Sequence, residues 1–319
     1  MSHLLLVRVD AGIQGWGHLM RCLAVALAWR KRGHPASFLL QSGPYDLEIS
    51  KRLRHGQFDF RFFVSESTTD EIRIVNHEIA QENPFVVLLD GYHFDDGYEK
   101  SLQLNKAKLA VFDDFGHAVH TSADFVINGN AYAQSKPPNL SQRWQCGPRF
   151  LALRPEFSGA RTRQSIDLRS SLTLLVMLGA CPSNELVLST TQAILELNAN
   201  RPIRFRQIDV VLGQRTLEQI PGLAELSSDH VHLVFHTNPS SLVDLMENAD
   251  MAVSAAGSTL YELAAIGVPT VAFAVAENQI AVLDALVEKQ IIWGCRSPLS
   301  DNAESLTIAI EAAISMEHI

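Results

Sequence analysis

Cysteine is scarce in this sequence, and its spacing argues against the sites that depend on it. The 319 residues contain 4 cysteines, and none forms a C-x-x-C pair with another. A disulfide framework or a structural zinc site needs closer groups of cysteines. Thiols as widely separated as Cys22, Cys146, Cys181 and Cys295 are typical of buried residues in a reducing cytoplasm.

The sequence also lacks an excess of basic charge and any long apolar run. Its 26 basic and 35 acidic residues give a formal net charge of −9, which provides no general attraction to nucleic acid or to acidic membranes. The apolar run near the amino terminus ends at Arg8 and is too short for a signal peptide. No run approaches the ~20 apolar residues of a membrane span. We therefore expect a soluble, cytoplasmic monomer with no membrane span and no nucleic-acid partner.

Apolar residues make up 47% of the chain, which is ample for the cores of about two domains. Strand-like apolar runs alternate with helical patterns almost throughout, and most are continuous, as in parallel sheets buried on both faces. Strands are predicted in the first half at 4–9, 36–40, 58–64, 85–90, 109–114 and 124–129. They are predicted in the second half at 172–178, 208–213, 231–235, 251–256 and 270–275.

A polar stretch at 157–171 separates the two halves, and each half opens with a strand and a turn. This order predicts two Rossmann-like α/β domains, at 1–157 and 158–319, whose parallel sheets face each other across a cleft. Ligands in such folds bind beyond the carboxyl ends of the strands. Functional residues are therefore expected in the segments that follow the strands.

A glycine-rich loop follows the first predicted strand. Gly12, Gly15 and Gly17 lack the spacing of the dinucleotide fingerprint, and no G-K-[ST] follows them. Glycine allows the backbone to approach a ligand closely. We therefore expect this loop to face a ligand.

His18 opens a helix that is predicted to end near Lys31. The partial positive charge at a helix N-terminus disfavours an imidazolium, so the ring should keep a free lone pair, as a general base requires. The alternative role is that of a capping or tightly packed histidine. Asp10 could orient this ring or hold a substrate hydroxyl, and Arg21, on the same helix face, could bind an anion or pair with an acid.

A second informative segment is SAAGSTLYELAAIG at 254–267. A predicted strand ends at Gly257, and Ser258 and Thr259 open a helix whose free backbone N–H groups can bind a diphosphate. Glu262, one turn later, can hold ribose hydroxyls; alternatively, it forms a T-x-x-E capping box with Thr259.

Two amide side chains, Asn278 and Gln279, follow the next predicted strand. They can hydrogen-bond sugar hydroxyls or simply begin the next helix.

The segment FDDFGHAVH groups four potential metal ligands: Asp113, Asp114, His117 and His120. Carboxylates and imidazoles this close can hold a divalent cation. The preferred alternative is a substrate-facing loop in which Asp113 or Asp114 binds sugar hydroxyls, since a polar loop at a strand end has the same composition. We therefore expect no metal.

These residues together resemble a known family. Their order, R-x-D followed by G-x-G-H-x-x-R, is similar to the amino-terminal signature of the UDP-2,4-diacetamido-2,4,6-trideoxy-β-L-altropyranose hydrolases of pseudaminic acid biosynthesis. The matching positions are Arg8, Asp10, Gly15, Gly17, His18 and Arg21. Further matches in the same order are Asp90, Tyr92, Asp113, Asp114, Asn128, Asn130, Tyr132 and the segment GPRFLALRPEF at 147–157.

The carboxy-terminal half resembles a wider group. AGSTLYELAAIGVPTV with ENQ is similar to the nucleotide-binding region of that family and of the GT-B fold, which includes the lipid II-forming N-acetylglucosaminyltransferases. This half therefore implies the fold and a UDP ligand, whereas the amino-terminal signature is the part specific to the hydrolases.

The resemblance implies hydrolysis of a UDP-linked diacetamido-trideoxy sugar at its anomeric carbon, with inversion and without a metal or cofactor. His18 is then the catalytic base, in an amino-terminal domain that carries the sugar and catalytic groups, and the carboxy-terminal domain binds UDP. The implied substrate-binding residues are Asp10, Gly15, Gly17, Arg21, Asp90, Tyr92, Asp113, Asn130, Tyr132, Asn278 and Gln279. The implied UDP-binding residues are Gly257, Ser258, Thr259 and Glu262.

The sequence departs from the family at two places. After the first strand of the second half the family usually has G-G-x-D, whereas this chain has Gly179, Ala180, Cys181 and Pro182. This difference bears on the sugar contacts at that turn and so on the identity of the sugar. Gly91 stands where family members often have a larger polar residue. Two other functions stay open: a glycosyltransferase of the same fold, and a sugar-nucleotide-binding protein without turnover.

Overall fold

The chain consists of two α/β units. The computed structural model describes residues 3–11, 16–134, 143–159, 172–179, 182–200, 205–213, 215–227, 231–239, 241–295 and 303–315. These residues divide into two compact units, Met1–Pro155 and Glu156–Ile319. Within the described ranges, no helix combines the length and the apolar character that crossing a membrane requires.

The amino-terminal unit is built on one parallel sheet. Its strands are β1 (Leu5–Val9), β2 (Ala36–Gln41), β3 (Asp59–Phe63), β4 (Val86–Asp90), β5 (Lys108–Phe112), β6 (Phe125–Asn128) and β7 (Trp144–Cys146). Its α-helices are α1 (Trp16–Lys31), α2 (Asp46–His55), α3 (Thr68–Glu82) and α4 (Asp96–Lys100). The strand order is β3-β2-β1-β4-β5-β6-β7.

The carboxy-terminal unit has a second parallel sheet. Its strands are β8 (Leu172–Met177), β9 (Phe205–Gly213), β10 (His232–Thr237), β11 (Met251–Ala255), β12 (Thr270–Phe273) and β13 (Trp293–Cys295). Its α-helices are α5 (Asn184–Asn200), α6 (Leu242–Asn248), α7 (Thr259–Ile266), α8 (Ile280–Glu288) and α9 (Ala303–Ser315). The strand order is β10-β9-β8-β11-β12-β13.

Both faces of each sheet are covered, which explains the continuous apolar runs. Every residue of β1 is buried; Val7 packs into one core cluster and its neighbour Leu6 into another. Strand β8 is likewise buried throughout, with Leu174 and Leu175 in different clusters. Because successive side chains of a strand point to opposite faces, a strand covered on both sides is apolar at nearly every position. The exception in β1 is Arg8, which is buried in ion pairs with Asp10 and Glu71.

The fold of two parallel-sheet α/β domains that the sequence predicts is confirmed. The strand predicted at 231–235 ends later, at Thr237, and two three-residue strands, β7 and β13, were not predicted. Both short strands lie at the edge of their sheet and contain a glutamine or a glycine at the centre, Gln145 and Gly294. A run this short has no periodicity that could indicate a strand.

Each sheet has a topological switch point at its centre. From β1 the chain proceeds outward to β2 and β3 and then returns to β4, on the other side of β1. The same winding relates β8, β9, β10 and β11. The loops after the two central strands therefore diverge and leave an opening at the carboxyl edge, where ligands of such sheets bind. In the two units these loops follow β1 and β4, and β8 and β11.

Candidate functional site

Two predicted residues meet at the switch point of the amino-terminal sheet. Asp10 directly follows β1 and Asp90 is the last residue of β4, its parallel neighbour. The backbone N–H of Asp10 donates a hydrogen bond to the Asp90 carbonyl at 2.9 Å. The two carboxylates are thus fixed at the same edge of the sheet.

His18 lies beside Asp90. Helix α1 begins at Trp16, so His18 occupies its first turn, as the sequence predicts. The His18 side chain is 7% exposed, and its Nδ1 lies 3.9 Å from the Asp90 Oδ1. That nitrogen is buried and has no hydrogen-bond partner among the residues that the structure describes. The Tyr92 ring packs edge-on against the imidazole with the centroids 4.7 Å apart. The neighbouring carboxylate is therefore Asp90 and not Asp10, which the sequence had suggested as the group that orients the ring.

Arg21 joins two carboxylates. Its Nε and Nη2 each donate to Asp90 at 2.6 Å, and its Nη1 donates to both oxygens of Asp114 at 2.8 and 2.9 Å. Burial would lower the pKa of Arg21, but the charges of Asp90 and Asp114 outweigh it and hold that pKa well above its usual value. Of the two roles that the sequence left open, the structure has the pairing with acids rather than a free anion-binding group.

Asp10 has its own cationic partners. Arg8 Nη1 lies 2.9 Å from the Asp10 Oδ1, and His93 Nδ1 lies 3.0 Å from the Asp10 Oδ2. Burial alone would raise the pKa of Asp10. The hydrogen bond with His93 and the charge of Arg8 outweigh this effect, so the pKa lies below its usual value. A Cβ at Gly91 would lie 2.9 Å from the Asp10 Cγ and closer still to Oδ2. The missing side chain at residue 91 is therefore space that the Asp10 carboxylate fills.

The paired aspartates after β5 have different surroundings. Asp113 is buried, and it accepts hydrogen bonds from the backbone N–H groups of Phe115, Gly116 and His117. Burial raises the pKa of Asp113, but the hydrogen bonds from His120 and the Phe115 N–H outweigh it and lower it to about 2. Asp113 thus supports the loop that follows it. Its role as a substrate ligand stays a prediction, and these hydrogen bonds disfavour it.

The metal-like group of the sequence comes together, but as ion pairs. Ligand atoms of Asp113, His117 and His120 lie within 4.8 Å of one another. The two nitrogens of His120 face Glu99 and Asp113, and those of His117 face Asp113 and the Phe94 carbonyl. Burial lowers the pKa of His120, but the two carboxylates outweigh it and raise it to about 9. Within the described residues, these contacts hold Asp113, His117 and His120 in ion pairs and hydrogen bonds.

The motif N-x-N-A-Y converges on Asp114. The Asn128 amide donates to the Asp114 carbonyl at 2.9 Å, and the Asn130 amide donates to the Asp114 Oδ1 at 2.9 Å. The Tyr132 hydroxyl donates to the same carbonyl. Since Asp114 also accepts from Arg21, these residues connect the carboxyl ends of β4, β5 and β6.

Other residues near the site were not predicted or lie outside the described ranges. Gly17 is exposed in the first turn of α1, and Gly15 lies outside the described residues. The Phe115 ring is 49% exposed and lies 5.2 Å from the Tyr92 ring, centroid to centroid. Neither Phe115 nor His93 was predicted from the sequence. A lone phenylalanine in a polar loop could have indicated the first, and a histidine directly after the matching D-x-Y could have indicated the second.

The predicted carboxy-terminal segment lies at the other switch point. Helix α7 begins at Thr259, as predicted, and its N-cap is Ser258, without a side-chain cap. Thr259 therefore lacks the N-cap position that a capping box requires, and that alternative for the buried Glu262 is wrong. The Gly257 N–H donates to the Ala255 carbonyl at 2.8 Å. Among the described residues, the N–H groups of Ser258 and Thr259 face no acceptor.

Gln279 reaches the same place. A Cβ at Gly257 would lie 4.0 Å from the Gln279 Nε2, and the Gln279 Oε1 accepts from the Val275 N–H at 3.0 Å. Asn278 is exposed in the short 3₁₀ helix Glu277–Gln279. Gly179, after β8, is exposed and has a φ of 97°, which is typical of glycine. Ala180 and Cys181 of the predicted departure lie outside the described residues.

Two curated proteins resemble this chain at low identity, and no protein-family model matches it. An uncharacterized protein of Methanocaldococcus jannaschii, MJ1062, is 23% identical over 286 residues, which cover 86% of this chain and 56% of that protein. The spore coat polysaccharide biosynthesis protein SpsG of Bacillus subtilis is 25% identical over 191 residues, 57% of this chain and 53% of that protein. The chain thus spans about half the length of the curated relatives it matches.

Solved structures share the fold over the whole chain. A glycosyltransferase from Rickettsia africae has a TM-score of 0.64 at 14% identity, with 98% of this chain and 88% of that one covered. The spinosyn rhamnosyltransferase SpnG, complexed with thymidine diphosphate, has a TM-score of 0.61 at 12% identity, with 98% and 91% covered. The fold of the chain is therefore that of GT-B glycosyltransferases.

Proposed function

We propose that this chain hydrolyses a UDP-linked diacetamido-trideoxy sugar at its anomeric carbon and releases UDP and the free sugar with inversion, in nonulosonate biosynthesis of the pseudaminic acid type. The observation that carries the proposal is the surroundings of His18. Its imidazole lies in the first turn of α1, with an unpartnered Nδ1 3.9 Å from the Asp90 Oδ1. This pairing of a histidine with a fixed carboxylate is the arrangement of a general base and its orienting group.

We assign to Asp90 the orientation of this ring. A hydrogen bond from the His18 Nδ1–H to the Asp90 Oδ1 leaves the lone pair on Nε2, which is the state that a general base needs. Arg21 holds Asp90 through two hydrogen bonds of 2.6 Å, so the carboxylate itself stays in place. We therefore assign Asp90 to orientation of His18 rather than to direct contact with the sugar.

The reaction balances in one displacement. The oxygen of a water molecule bonds to the anomeric carbon, and its proton passes to the His18 Nε2. The bond between that carbon and the diphosphate oxygen breaks, and its electron pair leaves on UDP. Attack opposite the leaving group inverts the anomeric configuration. His18 is 7% exposed, and exclusion of bulk water from its surroundings strengthens the interaction with the Asp90 charge.

We assign the leaving group to the carboxy-terminal unit. The Ser258 and Thr259 N–H groups at the start of α7 can donate to the diphosphate, where the helix dipole also favours negative charge. Gln279, next to Gly257, and Asn278 can bind hydroxyls, and Glu262 can bind the ribose. The thymidine diphosphate complex of a protein with this fold supports a nucleotide ligand.

The sugar is assigned to the amino-terminal unit. Asp10 is about one-third exposed, at 36%, and Tyr92 is 41% exposed, so both can contact a ligand at the edge of the sheet. Asn130 and Tyr132 act through Asp114, which they hold against Arg21.

Mass spectrometry of the products tests this function. Wild type, His18→Ala and the matched control His77→Ala, at an exposed position of α3, are incubated with UDP-linked diacetamido and monoacetamido sugars. We expect wild type and His77→Ala to release UDP and free sugar from at least one substrate, with no effect of EDTA. His18→Ala should bind UDP equally well in calorimetry and lose nearly all turnover, since removal of a general base costs about 10²–10⁴-fold. Undiminished turnover by His18→Ala would refute the assignment.

A glycosyltransferase is the second candidate, and the fold shared with solved glycosyltransferases favours it. His18 would then take the proton of an acceptor hydroxyl instead of water. Release of free sugar without any acceptor distinguishes the hydrolase from the transferase. Tight UDP binding with no product on long incubation would instead indicate a sugar-nucleotide-binding protein.

A further inference from the structure

A second ionic cluster adjoins the candidate site through Asp10, and the reaction proposed above uses none of its other members. Arg8 of β1 is fully buried, and its guanidinium contacts Asp10 at 2.9 Å and the Glu71 Oε1 of α3 at 2.9 Å. The Tyr98 hydroxyl of α4 donates to the same Glu71 oxygen at 2.9 Å. His93, in the turn after β4, completes the cluster.

Both ring nitrogens of His93 face carboxylates. Nδ1 lies 3.0 Å from the Asp10 Oδ2, and Nε2 lies 3.3 Å from the Glu71 Oε1. Ionised carboxylates only accept hydrogen bonds, so a ring that bonds to two of them must carry protons on both nitrogens. The geometry therefore requires a His93 imidazolium. Two cations, Arg8 and His93, then face two anions, Asp10 and Glu71, and the cluster is electrically balanced.

The direction in which the pKa of His93 is shifted agrees with this geometry. Burial lowers the pKa of His93, but the hydrogen bonds to Asp10 and Glu71 outweigh it and raise it to about 9. The groups that face the ring are Asp10 at the end of β1, Glu71 from α3 and Tyr98 from α4, and Arg8 pairs with both carboxylates. The two carboxylates set the charge of the ring, since burial and the Glu71 charge raise the pKa of the Tyr98 hydroxyl far above its usual value and keep it neutral.

The turn after β4 connects this cluster to His18. The Asp10 oxygen that accepts from His93 also fills the space where a side chain of Gly91 would be. Residues 91 and 93 of the turn thus both lie against the Asp10 carboxylate. Tyr92, between them, packs edge-on against the His18 ring at 4.7 Å.

We propose that the His93 imidazolium is a positioning residue: it fastens the turn after β4 to Asp10 and thereby holds Tyr92 against His18. Its effect on turnover rests on the function proposed above, whereas its charge and its hold on the turn do not. The folded protein binds this proton more tightly than the unfolded chain, whose histidines titrate near 6.5. The link is therefore complete at neutral pH and is lost as the pH rises through about 9.

Histidine ring NMR tests the charge of His93 without any substrate. The signal is assigned by its absence in His93→Gln and followed from pH 6 to 10 in the full chain. We expect a titration near pH 9 in wild type, and a shift toward 6.5 in Glu71→Gln, which removes one of the two carboxylates. A wild-type midpoint near 6.5 would overturn the proposal.

Kinetics test the positioning. His93→Gln is compared with His77→Gln, the same change at an exposed residue of α3. We expect His93→Gln to lower kcat/KM about 10- to 100-fold at pH 7.5, the size of effect produced by small misplacements in an active site. Wild type and His77→Gln should lose activity as the pH rises through about 9, whereas His93→Gln, which lacks the titrating ring, should not.

The two proposals fail in different ways. If wild type turns over and His93→Gln keeps its rate and its alkaline limb, the positioning role of His93 is refuted and the hydrolase stands. If wild type releases no UDP, the proposed function fails. The NMR titration and the Tyr92 ring signals of His93→Gln then still decide whether His93 is charged and holds the turn.

Discussion

At the residue scale, the carboxylates of the candidate site are each matched by a cation. Asp90, which is fully buried, is paired with Arg21, and Asp10 is paired with Arg8 and His93. A buried charge without a partner costs several kcal/mol, whereas a paired and hydrogen-bonded one is tolerated. The pairs hold both carboxylates at the sheet edge, with Asp90 beside His18.

Gly91 shows how closely these groups are packed, and it gives a prediction. A Cβ at residue 91 would lie 2.9 Å from the Asp10 Cγ and 2.9 Å from the Phe94 Cε2. Gly91→Ala should therefore displace Asp10 and lower the free energy of unfolding by about 1–3 kcal/mol, with a loss of turnover. Urea titration monitored by circular dichroism measures the stability.

Gly43→Ala is the matched control for this substitution, because a Cβ at residue 43 meets nothing within 4 Å. Its stability should change by less than about 1 kcal/mol. Equal stability of the two variants would show that Asp10 does not occupy the space beside residue 91.

The sequence allowed these residues to be identified as candidates, but not their pairing. His18 was found because it stands in the first turn of a helix that follows a strand and a glycine loop. The partners of Arg21 could not be found in this way, since Asp90 and Asp114 are 69 and 93 residues away. Only the strand order β1-β4-β5 brings them together, and the same holds for Glu71 on α3, 63 residues from Arg8.

At the element scale, the loop after β5 is held by its own acidic residues. Asp113 accepts the N–H groups of residues 115–117, and Asp96, at the start of α4, accepts those of Val119, His120 and Thr121. The hydrogen bonds from Thr121 lower the pKa of Asp96 far below its usual range. The loop that carries Asp114 and Phe115 is therefore fixed at both ends.

Helix α7 gives a prediction at the element scale. Ser258 has a φ of −57°, which proline adopts without strain. Ser258→Pro should keep the helix start and remove one N–H donor, and UDP should bind about 10- to 100-fold more weakly, as expected for loss of a hydrogen bond to a charged group.

Isothermal titration calorimetry measures this affinity, and Ser258→Ala serves as the control that keeps the N–H. If the proline and alanine variants bind UDP with the same affinity, the start of α7 does not hold the diphosphate. Unchanged circular dichroism of Ser258→Pro confirms that the helix has formed.

Elements were predictable to the extent that their apolar pattern was long. Helix α7 was predicted with the bounds that it has, Thr259–Ile266, because Gly267 ends it in a left-handed conformation, with a φ of 82°. The capping box that its first turn suggested is not formed, since the helix begins one residue earlier than that motif requires. Local sequence thus indicated the helix but not which backbone group begins it.

At the scale of the whole molecule, the chain uses one winding twice. The orders β3-β2-β1-β4-β5-β6 and β10-β9-β8-β11-β12-β13 are equivalent strand by strand. Asp90 is the last residue of β4, and Gly257 lies just after the end of the equivalent strand, β11. The first unit presents paired charges there and the second presents backbone N–H groups, the two features on which the proposed function depends.

The two solved glycosyltransferase structures share this fold with 98% of the chain at 12–14% sequence identity. At such identity the architecture is shared while the chemistry lies in individual side chains. Under the proposed function, the distinction between a hydrolase and a transferase therefore depends on whether water or an acceptor hydroxyl is deprotonated, and not on the fold.

Hydrolysis in ¹⁸O-labelled water tests the central claim most directly. Wild type and His18→Ala are incubated with the UDP-sugar that wild type accepts, and UDP is analysed at once by mass spectrometry. Attack at the anomeric carbon predicts that UDP carries no ¹⁸O, that the sugar is labelled, and that His18→Ala forms almost no product. Labelled UDP would show cleavage at phosphorus instead, and labelled sugar formed by His18→Ala at the wild-type rate would show that His18 is not the base.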